Sequence, residues 1–150
     1  MKDISEILNK AHQRALEMRL PYAGALLPTE AYELMENAPG AKLIDVRTKA
    51  EWDFVGRVPG SILIEWQTYP NSQPNLTFLD DLKAQTEKDV IVMFLCRSGA
   101  RSHSAAVAAN QMGYARSYNV LQGFEGDKDA QGHRASVGGW QFAGLPWAQG

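Results

Sequence analysis

Six consecutive apolar residues, Val90-Ile-Val-Met-Phe-Leu95, three of them β-branched, run directly into the chain's only cysteine, Cys96. A half-exposed strand alternates apolar with polar side chains, so an unbroken run of this length predicts a strand covered on both faces. The alanine-rich stretch Ser102–Met112 then predicts a helix, with Gly113 placed to end it. Strand, short polar loop and helix gather backbone N–H groups at a helix N-terminus, where negative charge is favoured. A sulfur stabilised as an anion attacks less well but departs better. Cys96 is therefore suited to accepting a group and passing it on.

From Cys96 to Arg101 the loop counts six residues, with Gly99 allowing a backbone turn that a β-carbon would hinder. A closed loop of this kind aims several N–H groups at one centre and makes a nest for a small anion. Cys96-Arg97-Ser98-Gly99-Ala100-Arg101-Ser102 resembles the active-site loop of single-domain rhodaneses, the thiosulfate sulfurtransferase family. The resemblance implies a persulfide on Cys96, held by the loop from Arg97 to Ser102, with the arginines drawing in an anionic donor. Phosphatases and arsenate reductases on the same scaffold carry a loop one residue longer, so that chemistry is the weaker alternative. A persulfide carrier or non-catalytic interaction module is another.

Strands alternating with helices at short spacing predict an α/β fold with a central parallel sheet flanked by helices on both faces. The first strand is expected at 42–47, closing on Asp45 and Arg47. Thr48 and Glu51 have the spacing of a capping box for a short helix through Phe54. Further strands are expected at 61–65 and 117–121. Between them Leu76, Leu79 and Leu82 have helical spacing, and 66–74 reads as loop. Leu43-Ile-Asp45-Val-Arg47, Glu51 and Gly56-Arg57-Val-Pro-Gly60 are similar to the first rhodanese signature, with Arg57 where the family usually has histidine. Asp45, Arg47 and Glu51 read as structural support, because carboxylates and arginines at strand ends satisfy one another.

Ahead of this lies an extra amphipathic helix over residues 3–20, with Ile4, Ile7, Leu8, Ala11, Ala15 and Met18 on one stripe. A second helix is expected from Thr29 as N-cap to Asn37. The chain thus divides into an N-terminal helical extension, 1–25, and a rhodanese-like domain, 26–150. Near the C-terminus Gln122-Gly123 stands where rhodaneses commonly carry paired glycines, and a polar insert spans 127–134. His133 and Arg134 in the insert, with Arg57, are candidate residues for the mouth of the site. Trp140, Phe142 and Trp147 read as packing residues.

A net charge of −2 leaves no footprint for nucleic acid or an anionic membrane. One cysteine excludes an internal disulfide and points to the cytoplasm. His12, His103 and His133 lack metal-site spacing, so neither metal nor cofactor is expected. The partners the resemblance implies are a thiosulfate-like donor and a thiol or cyanide acceptor, with a protein sulfur donor or acceptor as the cellular variant.

Overall fold

A computed structural model describes residues 3–149. Helix α1 (Ile4–Met18) starts on Asp3, whose carboxylate accepts the Ser5 N–H, and leads to strand β1 (Gly24–Leu26). Then come α2 (Pro28–Asn37), β2 (Lys42–Asp45), α3 (Lys49–Phe54) and β3 (Ile62–Leu63). A small antiparallel hairpin, β4 (Gln67–Thr68) and β5 (Gln73–Pro74), precedes α4 (Phe78–Gln85), β6 (Val92–Leu95), α5 (Ala100–Gln111) and β7 (Ser117–Val120). Five strands form one parallel sheet in the order β1-β7-β6-β2-β3.

The two-residue period of a strand explains why the central run is apolar throughout. Leu43, Met93, Leu95 and Val120 point into one core, shared with α1 and α2 through Ile7, Ala11 and Leu34. Ile44, Val92, Phe94 and Cys96 point into the other, against α4 and α5 through Leu82, Ala105 and Ala109. Cys96 thus leaves the sheet on the α5 side. Among the described residues no helix is long and apolar enough to cross a membrane.

The N-terminal helix packs on the flank of the domain. A β-carbon on Gly24 would fall 2.8 Å from the Ala11 carbonyl, so α1 rests directly on the β1 backbone. Strand β1 straddles residues 25 and 26, where the sequence reading divides extension from domain. Arg14 adds a bidentate pair to Glu30 of α2, at 2.6 and 3.0 Å. Met18, expected on the buried stripe, is exposed, because the buried row runs through Ile7, Ala11 and Ala15 and the helix ends at Met18.

Other boundaries move for identifiable reasons. Helix α2 begins at Pro28, with Leu27 instead of Thr29 as its cap. Proline suits the first helical position, and the Glu30 carboxylate takes the Leu27 N–H at 2.8 Å. Leu76 is 94% exposed, and α4 buries Phe78 and Leu82. The Asn75 side chain caps the Thr77 N–H at 3.1 Å and keeps the chain out of helix until residue 78. Residues 66–74, read as loop, contain the β4–β5 hairpin. At the C-terminus Trp140 is fully buried, whereas Phe142 and Trp147 are exposed. The indole N–H of Trp140 finds the Pro146 carbonyl at 2.8 Å, which allows its burial.

Candidate active site

Helix α5 begins at Ala100, two residues before its expected start, with Gly99 as cap at φ 117°. This puts Arg101 and Ser102 in the first turn, directly after Cys96. Among the described residues the amides of Ser98, Ala100, Arg101 and Ser102 take no backbone carbonyl, as first-turn geometry dictates for the last three. The Gly99 N–H already points at the sulfur, 3.1 Å from Cys96 Sγ, and Ser102 Oγ lies 3.2 Å from it on the helix side. Cys96 is 1% exposed, so its sulfur sits beneath the loop, with apolar packing behind it and polar groups in front.

The turn at 122–126 braces the back of the loop. Phe124 N–H donates to the Cys96 carbonyl at 2.8 Å, and Glu125 and Gly126 N–H donate to the Arg97 carbonyl at 3.0 and 3.2 Å. Gly123, at φ 63°, comes so close that a β-carbon would stand 2.5 Å from both the Cys96 carbonyl oxygen and the Arg97 carbonyl carbon. Gln122 replaces the expected first glycine while keeping positive φ, 69°, and its Oε1 accepts the Gly139 N–H at 3.0 Å. The side chain compensates the strained backbone by tying the turn to the C-terminal segment.

The two loop arginines have different surroundings. Arg101 forms a fork-to-fork pair with Glu51, at 2.7 and 2.9 Å. Burial works against both charges, yet their mutual hydrogen bonds and attraction prevail. The Glu51 carboxyl is held below its usual range, also helped by the Thr48 N–H and the charge of Arg47, and the Arg101 guanidinium is held above its own. Arg97 is exposed and makes no ion pair with the described residues. Deeper in, Arg47 and Asp45 form a fully buried pair at 2.8 Å. Arg47 also donates to the Gly56 carbonyl at 2.6 Å and lies over the Phe124 ring, 4.2 Å from its centre.

In front of the loop opens a cavity of about 430 Å³, walled by Arg97, Arg101, Thr48 and Glu51 on one side and the hairpin residues Tyr69, Pro70 and Ser72 on the other. Arg57, His133 and Arg134 do not line it. Arg57 pairs its backbone with Ala148 at 2.8 and 2.9 Å. Arg134 donates to the Gly126 carbonyl at 2.7 Å, and His133 is exposed. The insert is ordered by Asp129, which accepts from the Ser136 hydroxyl and the backbone N–H groups of His133 and Gln131, contacts that hold its carboxyl below the ordinary range.

Sequence reasoning passed over the hairpin wall and Asn119. The latter had a legible signal: it is the one amide in the buried strand Ser117-Tyr-Asn-Val120, and a buried amide requires partners.

The model of the rhodanese-like domain family matches residues 27–130. The chain belongs to this family. Its relatives include an uncharacterised protein of Rickettsia conorii, 35% identical over 120 residues that cover 76% of this chain and 94% of that one. The thiosulfate sulfurtransferase GlpE of Actinobacillus succinogenes is 28% identical over 121 residues, covering 81% of this chain and 86% of GlpE. The crystal structure of Rv0390 from M. tuberculosis is 44% identical, with a TM-score of 0.79 over 86% of this chain and 99% of that one. The rhodanese-like family contains sulfurtransferases, and the α/β architecture is shared with the Rv0390 structure.

Proposed function

We propose that the protein is a sulfurtransferase that carries a sulfane sulfur on Cys96. The observation that carries this reading is the Gly99 N–H directed at Sγ from a loop whose neighbouring amides have no carbonyl partner among the described residues. Preorganised donors of this kind stabilise an anion without reorganisation at the moment of reaction. The kinship with GlpE supports thiosulfate as a donor.

The reaction is a double displacement. Cys96 thiolate attacks the outer sulfur of thiosulfate; the new S–S bond forms as the donor's S–S bond breaks, and the electron pair leaves with sulfite. The product is Cys–S–S⁻, whose outer sulfur lies among the loop amides. A nucleophilic acceptor, cyanide in an assay or a thiol in the cell, then takes that sulfur and returns the thiolate. Arg97, without an ion-pair partner among the described residues, meets the sulfonate; Arg101, engaged by Glu51, holds the loop in shape.

Incubation with thiosulfate alone should add the mass of one sulfur atom, and Cys96→Ser should abolish the addition. Initial rates at several acceptor concentrations should give parallel reciprocal plots. An adduct that persists in Cys96→Ser, or phosphomonoester hydrolysis in place of sulfur transfer, overturns the assignment.

A further inference from the structure

The space in front of the Cys96 loop is larger than the donor requires. Liquid water takes about 30 Å³ per molecule, so a cavity of about 430 Å³ holds roughly 14 groups of that size, and thiosulfate fills about a third of it. The volume falls instead in the range of roughly 300–1,000 Å³ that suits a small organic ligand. Core residues, among them Ile44, Phe94 and Ala105, close the other side of Cys96. A sulfur acceptor therefore arrives through this space, and whatever it carries besides its thiol rests against the walls.

The hairpin wall is fixed at its base by hydrogen bonds. Glu65, just ahead of β4, takes the Lys49 N–H at 2.9 Å, and the Asn75 side-chain amide, just after β5, donates to the Glu65 carbonyl at 2.8 Å. Trp66 N–H donates to the Val46 carbonyl at 3.1 Å, and its indole meets the Phe78 ring edge to face at 5.0 Å. The turn carried on this base is open to its surroundings. Tyr69 is 69% exposed and stacks on no ring among the described residues. Across the cavity, Arg97 has no ion-pair partner among the described residues, while the Glu51 carboxylate in the lining is already matched by Arg101. The lining thus keeps one positive charge, opposite an aromatic ring, with Gln67, Thr68 and Ser72 adding amide and hydroxyl groups. Tyrosine and arginine are the side chains that contribute most at recognition surfaces.

We propose that the space between Arg97 and the β4–β5 hairpin is an acceptor subsite for an acidic, amide-bearing thiol about the size of a blocked dipeptide. Its carboxylate pairs with Arg97, its amides meet the polar groups of the hairpin, and Tyr69 covers its chain. The proposal rests on the sulfurtransferase reading and specifies the second step. The acceptor thiolate attacks the outer sulfur of the Cys96 persulfide. A new S–S bond to the acceptor forms as the bond to the Cys96 sulfur breaks, the electron pair returns to Cys96 as thiolate, and the acceptor leaves as its own persulfide anion. Arg97 serves both half-reactions in turn, because sulfite has gone before the acceptor enters.

Protein loaded with thiosulfate and freed of sulfite can be discharged by N-acetylcysteinylglycine, by its C-terminal amide or by 2-mercaptoethanol. Single-turnover loss of the added sulfur mass gives the rate for each, and comparison between protein variants cancels the intrinsic reactivity of each thiol. Arg97→Gln should lower the advantage of the acid over its amide about fivefold. Tyr69→Ala should lower the advantage of both peptides over 2-mercaptoethanol about threefold. Either advantage surviving its substitution intact overturns the proposal. So does a further gain on extending the peptide by several residues at both ends, which would make a polypeptide the occupant.

If thiosulfate adds no sulfur to Cys96, the transferase reading fails while the subsite stays testable. The probe is then the S-methyl thioether of N-acetylcysteinylglycine, which cannot accept sulfur. Saturable shifts of the Gln67, Thr68 and Ser72 amides in NMR spectra, weakened by Arg97→Gln, would support the subsite, and their absence would refute it.

Discussion

The back and the front of the Cys96 loop are built on different principles. At the back, Phe124, Asn119 and the Asp45–Arg47 pair are buried and bonded to one another or to the loop, and buried Gly123 packs directly on the loop backbone. At the front, Tyr69, Arg97 and the hairpin turn are largely exposed and hold few internal bonds. Close packing transmits any change at the back to the sulfur, whereas the front can vary without disturbing it. Under the proposed function, the chemistry is set from behind and the choice of partner from in front.

The strongest way to break this contrast is at the buried ion pair. Asp45→Ala leaves Arg47 charged and without its carboxylate, which should cost about 3–5 kcal/mol in chemical denaturation. A loss below about 1 kcal/mol would mean that the back wall does not support the loop. Gly123→Ala forces a β-carbon into the Cys96 and Arg97 carbonyls. It should cost about 2–3 kcal/mol and reduce sulfur transfer at least about tenfold in the molecules that remain folded, as seen by single-turnover assay.

Effects at the rim should divide between the arginines. Arg97→Ala should raise the KM for thiosulfate about tenfold while stability moves by less than about 0.5 kcal/mol. Arg101→Ala should instead destabilise by about 1–2 kcal/mol, because Glu51 loses both of its guanidinium hydrogen bonds. Equal stability losses in the two variants would remove the distinction between them.

The pH dependence sharpens the same point by a smaller amount. The folded Glu51 carboxyl lies below its ordinary value of about 4.3, so its contribution is complete above that value. It is lost as pH falls through the lower folded value. Glu51→Gln should flatten the acid side of the stability curve by on the order of 1 kcal/mol, with little change in the slope above about pH 5. The smallest effect is expected at Tyr69→Ala, which should alter KM a few-fold and leave the denaturation midpoint almost unchanged.

The apolar run into Cys96, the alanine-rich helix after it and the Thr48–Glu51 box were legible because each depends on neighbours a few residues apart. Gly99 likewise marked the turn between Cys96 and the helix, since a turn is a local object. Leu76 misled, because equal hydrophobicity at helical spacing does not reveal that Asn75 holds the chain in a turn.

Local order thus determined the strands β2, β3, β6 and β7, the central helix and the loop after Cys96, but neither β1 nor the β4–β5 hairpin. Tertiary structure decided what no spacing encodes: that Arg101 is held by Glu51 and Arg97 is left to the cavity, and that Asn119 is hydrogen-bonded to Ser102. It also decided that Tyr22, 81 residues away from His103 in the chain, meets it beside the Cys96 loop. The physical reason is that a charge or a hydroxyl acquires its role from the groups within about 3 Å of it, and those neighbours are chosen by sheet order and packing.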